Sequence, residues 1–173
     1  MMSVTFAFGS PSELTKQEFV TKFGGIYEHS AWIAEQAFDQ GITAEHDVID
    51  ALHHLMADCF LSASHEEQLG VIVAHPDLAG KAARAGKLTA ESTSEQASAG
   101  IDTLTDEEFA RFTELNDAYK AKFQFPFIMA VKGSNKHAIL SGFEERINNT
   151  PEQEFARALA EINKIAAFRL ADL

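Results

Sequence analysis

The chain has 173 residues, 46% of them apolar, with fourteen Phe, ten Gly, four Pro and one Cys. That is enough apolar material for one packed core, which excludes a disordered segment, and a lone cysteine excludes an internal disulfide and points to a reducing compartment, the cytoplasm. A formal net charge of −12 opposes binding to nucleic acid or to an anionic membrane surface, although one or two local cations still suffice for a small anionic ligand.

Val is scarce while Ala, Leu, Glu and Lys are common, a balance that favours helix over sheet. The first residues carry neither the basic start nor the apolar run of a secretion signal, and no apolar stretch approaches membrane-spanning length. Helix starts are marked by a hydroxyl residue with Glu or Gln three positions on: the hydroxyl accepts from a free backbone N–H and the later side chain reaches back. Thr15 with Glu18, Ser64 with Glu67, Thr105 with Glu108 and Thr150 with Gln153 have that spacing, Pro151 strengthens the last, and Thr43 is a further cap. The pattern predicts helices at roughly 15–22, 29–39, 44–61, 65–73, 92–100, 106–121, 135–148 and 151–170. Cys59 falls in an apolar-rich stretch and reads as a small core residue rather than a nucleophile. Residues 125–131 can be extended after Pro126. The expected fold is all-α, a single compact multi-helix bundle forming one domain over residues 1–173, with no internal repeat.

Residues 77–102 are rich in Ala, Gly, Ser, Thr and Lys and poor in large apolar side chains. They read either as a surface connection or as a loop and short helix carrying polar site residues. Just before them, His75 follows an apolar run and precedes Pro76, which cannot continue a hydrogen-bonded helix. An imidazole presented at a helix end can exchange a proton near neutral pH, or can simply cap the helix C-terminus. Ser92 and Glu95 have capping-box spacing, so Glu95 can merely close a helix start. A helix N-terminus there can equally hold a carboxylate or urea oxygen while Glu95 or Gln96 faces the ligand. In the last helix Phe155, Leu159, Ile162, Ala166 and Arg169 share one face. Arg169 thus projects from an apolar stripe, where it either needs an anionic or carbonyl partner or reaches past the core to water. Phe127, Ile128, Met129, Ala130 and Val131 are core by default, but extended backbone there can also offer N–H and C=O groups to a flat polar ligand.

No metal-binding or cofactor signature accompanies these candidates. His53 and His54 are adjacent and point apart on a helix, and there is no His-Glu-x-x-His, no Cys pair, no glycine-rich phosphate loop and no Gly-x-Ser-x-Gly. Tyr27, Glu28, His29 and Ser30 can supply polar groups, although Ser30 also reads as a cap near Trp32. On the residues alone, a helical interaction module without catalysis stands beside an enzyme.

Four motifs in order resemble one family. They are Ala74, His75, Pro76, Asp77, Leu78 and Ala79; then Ser92, Glu95 and Gln96; then Lys122 with Phe125, Pro126, Phe127 and Ile128, followed by Lys132 and Gly133; then Ile165, Phe168, Arg169 and Leu170. Together with Gly24 to Ser30 and Trp32, they resemble the OHCU decarboxylases, which act on 2-oxo-4-hydroxy-4-carboxy-5-ureidoimidazoline in uric acid degradation. The likeness runs from about Leu14 to Leu170. It implies an all-α fold, no cofactor, a small-molecule substrate, a homodimer and conversion of OHCU to (S)-allantoin with loss of CO2. By position it implies His75 as the catalytic histidine and places Glu95 in the substrate site, where the expected mechanism has it orient His75 or handle the second proton. Pro76, Ser92, Gln96, Phe127, Ile128, Met129, Ala130, Val131 and Arg169 then fall at substrate-site positions. A stand-alone cytoplasmic enzyme is the expectation.

Overall fold

The computed structural model describes residues 3–80 and 85–173, so residues 81–84 of the polar stretch lie outside the described residues. The fold is helical, and an isolated antiparallel bridge between Thr5 and Val48 is its nearest approach to a sheet among the described residues. Chain contacts define two units, Met1–Ala74 with Asn163–Leu173, and His75–Ile162.

The first unit holds α1 (Lys16–Phe23), α2 (Trp32–Asp39), α3 (Ile49–Leu61), α4 (His65–Ala74) and the end of the last helix. Thr15 opens α1 with the predicted capping box, and Ser64 does the same before α4. Two predicted helices change at their starts. The helix expected from 29 begins at Trp32, because His29 takes a left-handed backbone (φ 48) and the Ser30 hydroxyl donates to the Glu28 carbonyl instead of capping. The helix expected over 44–61 is split into a short 3-10 turn, Ala44–Asp47, and α3. Between them Val48 is extended (ψ 129), drawn out by pairing with the N-terminal segment: the Ile49 N–H donates to the Val4 carbonyl at 2.9 Å. Asp47 holds the same junction by accepting from the Ser12 N–H and hydroxyl at 2.9 and 2.8 Å. Phe19, Phe23, Ile33, Leu52, Met56, Phe60 and Ile72 are buried here, with Phe19 and Phe23 in ring contact at 4.7 Å. Cys59 is buried as expected and accepts from Gln40 Nε2 at 3.3 Å. Burial, then the nearby Asp58 charge, pushes its thiol pKa up, which disfavours the nucleophilic thiolate.

The second unit holds α5 (Ala90–Ser98), α6 (Asp106–Phe123), α7 (Lys136–Arg146) and most of α8 (Pro151–Ala171). Thr150 caps α8 with Gln153 as predicted, and Asn135 caps α7. α6 stops where Gln124 adopts a left-handed backbone (φ 64), unusual without glycine. Its own amide donates to the Ala121 carbonyl at 2.8 Å and so satisfies the helix end. Phe112, Tyr119, Phe127 and Phe143 form the ring cluster of this core, with Phe127 and Phe143 stacked at 3.8 Å and Tyr119 edge-on to Phe127 at 5.3 Å. No helix among the described residues is long and apolar enough to cross a membrane.

Thr105 opens α6 with its capping box, and Glu108 also binds Lys136 Nζ at 2.6 Å. The Lys136 hydrogen bond, then the Thr105 backbone N–H, lowers the Glu108 pKa from 4.5 to about 2. Since the folded value is depressed, this contribution to stability is complete above pH 4.5 and drains away as pH falls toward 2. The stability difference between wild type and Glu108→Gln should therefore shrink across that window, as read from urea midpoints in an acid series.

Candidate active site

His75 stands where sequence places it, directly after α4 ends at Ala74 and before Pro76, and it is buried. The loop that follows is fixed by side chains from two helices of its own unit. Gln96 on α5 accepts from the Ala79 N–H through Oε1 at 3.0 Å and donates to the Asp77 carbonyl through Nε2 at 3.4 Å. Asn116 on α6 donates to the Leu78 carbonyl at 2.9 Å, and one turn later Lys120 binds the Asp77 carboxylate at 2.6 Å. These contacts hold Ala79 in a left-handed backbone (φ 55), which costs a residue with a Cβ about 1 kcal/mol. Only a well-anchored turn keeps that geometry, so the polypeptide carrying His75 is held firmly.

α5 begins two residues earlier than its sequence suggests. Thr89, not Ser92, is the cap: its backbone is extended (φ −60, ψ 158) and its hydroxyl accepts from the Ser92 N–H at 3.2 Å. Thr89 and Ser92 offer competing cap signals, and the earlier one prevails. Ser92 thus becomes a buried first-turn residue, and Glu95 is a helix-interior residue rather than the closing arm of a box. The expectation of a free N–H cradle at Ser92 is corrected with it, because that N–H is spent on Thr89. Ser92, Glu95 and Gln96 share one face of α5, with Ser92 and Gln96 buried and Glu95 half-buried. A cleft of about 430 Å³ opens against this helix and the loop, bordered by Ala79, Leu88, Thr93, Gln96, Ile101 and Phe109 among others. His75 and Glu95 are not among its lining residues.

Residues 126–131 lie in no helix and pair in no ladder. Phe127, Ile128 and Val131 are buried, and Met129 and Ala130 are half-buried. Two charged side chains hold their backbone. Arg146 Nη1 donates to the Ile128 carbonyl at 2.6 Å, and Glu161 accepts from the Ala130 N–H at 3.2 Å. The Arg146 guanidinium lies 4.4 Å over the Phe127 ring and binds Glu154 at 2.9 Å. Glu154 is fully buried and also accepts from the Tyr119 hydroxyl at 2.5 Å and from Asn149 at 3.0 Å. Burial, then the Glu154 contact, pushes the Tyr119 pKa up, so the phenol stays a neutral donor.

Arg169 belongs to the first unit and is buried on the stripe where its spacing puts it. The anionic or carbonyl partner demanded by that burial is present in both forms. Glu28 Oε2 lies 2.9 Å from Nη1, and the Gly25 and Ile26 carbonyls accept at 3.4 and 3.3 Å. Glu28 falls in the polar run flagged in the sequence. Asn116, Lys120, Arg146, Glu154 and Glu161 escape sequence reasoning. Their one available signal is a polar residue beside a helical apolar stripe, as Asn116 sits beside Leu115 and Tyr119. Among the described residues no group of three or more His, Cys, Asp or Glu side chains is placed to hold a metal ion.

The chain matches the family model described as OHCU decarboxylase over residues 12–171. A 2-oxo-4-hydroxy-4-carboxy-5-ureidoimidazoline decarboxylase of Halalkalicoccus jeotgali is 40% identical over 162 residues, spanning 94% of this chain and 88% of that protein. An (S)-allantoin synthase structure superposes with a TM-score of 0.73 at 34% identity. It covers 94% of this chain, which spans 52% of that longer one. An OHCU decarboxylase solved in the presence of (S)-allantoin shares the fold, with a TM-score of 0.68 at 24% identity over 85% of this chain and 93% of that one.

Proposed function

The chain belongs to the OHCU decarboxylase family, and from that premise we propose that it converts OHCU to (S)-allantoin and CO2 in the breakdown of uric acid. The observation that carries this reading is the anchored loop after His75. Within a chain matched to the family over residues 12–171, Gln96, Asn116 and Lys120 fix the polypeptide that bears His75, the histidine this reading assigns to proton transfer.

The substrate carbon that bears the carboxylate also bears a hydroxyl, and its ring neighbour is a C=N carbon carrying the ureido group. As the C–C bond to the carboxylate breaks, its electron pair forms a ring C=C bond and the C=N pair moves onto nitrogen, which takes a proton. The ring is its own electron sink, so the reaction needs no cofactor. The hydroxyl carbon then becomes the ring carbonyl as its O–H proton leaves, while the ureido-bearing carbon takes a proton on one face. Overall one proton is consumed for each carboxylate lost as CO2.

His75 acts as general acid and base at the hydroxyl or carboxylate, and Glu95 orients it or handles the second proton. Pro76 and Ser92 border the substrate, as does Gln96 while it holds the loop. Phe127, Ile128, Met129, Ala130 and Val131 form a wall. Arg169, assigned through the likeness of its motif and held in orientation by Glu28, supplies fixed donors to the ring carbonyl, ureido group or developing anion. The reading takes residues 1–173 as one catalytic domain working as a cytoplasmic homodimer.

Freshly generated OHCU should disappear faster with the protein than without it, with one CO2 released per allantoin formed. Turnover of allantoin or allantoate in its place would make the protein a hydrolase of a later ring or ureide and overturn the assignment.

A further inference from the structure

Residues 125–131 have no helix or ladder to satisfy their backbone, so each polar group there must find its partner elsewhere. The Ile128 carbonyl finds Arg146, and the Ala130 N–H finds Glu161. The peptides are trans, so the N–H of each unit points opposite to its C=O. The unit joining Ile128 to Met129 therefore turns the Met129 N–H away from Arg146, and the next unit turns the Met129 C=O away from Glu161. Both supports are organised by α8. Arg146 is gripped by Glu154, and Glu161 lies two turns further along the same face of that helix. The Met129 N–H and C=O have no hydrogen-bond partner among the described residues, and Met129 is half-buried.

We propose that Arg146 and Glu161 are positioning residues: they lock the two peptides flanking Met129 so that its N–H and C=O stand side by side for the cis-amide edge of a five-membered-ring substrate. A ring amide is held cis by ring closure, so its C=O and N–H also project side by side and complement one residue's donor and acceptor. The ring of OHCU carries such an edge at its 2-oxo group. This inference rests on the decarboxylase reading and deepens it. Glu154, Tyr119 and Phe127 act further back by bracing the guanidinium.

Hydantoin is the minimal probe, since it carries the cis-amide edge without the reacting groups, and 1,3-dimethylhydantoin lacks the N–H. Their binding can be measured by calorimetry on wild type, Glu161→Ala and Glu161→Gln, with thermal melting alongside. Gln keeps an oxygen to accept the Ala130 N–H. The expected result is hydantoin binding that is unchanged in Glu161→Gln, about tenfold weaker in Glu161→Ala and lost for the dimethyl compound. In OHCU turnover, KM should rise about tenfold in Glu161→Ala with kcat little changed. Equal hydantoin affinity in wild type and Glu161→Ala, equal affinity for the two hydantoins, or equal weakening in Ala and Gln variants would each overturn the proposal. Binding is read without turnover, so it fails or succeeds separately from the decarboxylase assignment.

Discussion

Replacement of His75 by Ala or Asn is expected to slow OHCU decarboxylation about 10²- to 10⁴-fold, the usual contribution of a positioned general acid or base. The fold should survive. His75 lies beyond the last residue of α4, and Gln96, Asn116 and Lys120 each anchor the turn after it through their own hydrogen bonds or ion pair. kcat on fresh OHCU and the thermal melt of the same sample separate the two effects. A slow, normally melting protein supports a chemical role. A full rate in either variant would remove His75 from the mechanism. The direction of the split carries further information: a collapse of kcat with KM unchanged indicates proton transfer, and a rise in KM alone indicates that His75 only holds the substrate.

The largest effect on stability should come from Glu154→Leu, which is expected to cost about 3–5 kcal/mol, the range for removing one partner of a buried ion pair. The carboxylate is fully buried and gathers three donors: Tyr119 Oη, Arg146 Nε and Asn149 Nδ2. Without it Arg146 keeps a charge in the core beside Phe127, and the Tyr119 phenol loses its acceptor. Urea unfolding measures the loss directly. The double variant Arg146→Met with Glu154→Leu should recover much of it, because the stranded charge goes too. A cost below about 1 kcal/mol for Glu154→Leu, the range of exposed pairs, would contradict this account of the network.

Features encoded within a few residues are legible in the sequence. The capping boxes at Thr15, Ser64, Thr105 and Thr150 depend on contacts three positions apart and form as read. Pro76 reads as a helix stop, and α4 ends just before it. The stripe that ends on Arg169 reads as either a buried ion partner or a reach to water, and its burial against Glu28 decides for the first. Features set by distant chain are not legible. The break at Val48 needs the N-terminal segment around Val4, Thr5 and Ser12. The start of α5 falls at Thr89, although capping-box spacing favours Ser92 with Glu95. Asn116, Lys120, Arg146, Glu154 and Glu161 look in sequence like ordinary polar residues of helices. Their roles appear only once the loop after His75 and residues 125–131 come to rest against them, because an orphaned backbone group has no sequence signature of its own.

Delivery of a proton to one face of the ring is the central claim, and the product records it. Allantoin formed spontaneously from OHCU is racemic, so its circular dichroism is nil. Urate carried to OHCU by the upstream enzymes and then given to this protein should yield allantoin with the dichroism of the S enantiomer at early times. A faster reaction that still gave racemic allantoin, or a dichroism no different from the reaction without the protein, would contradict the account.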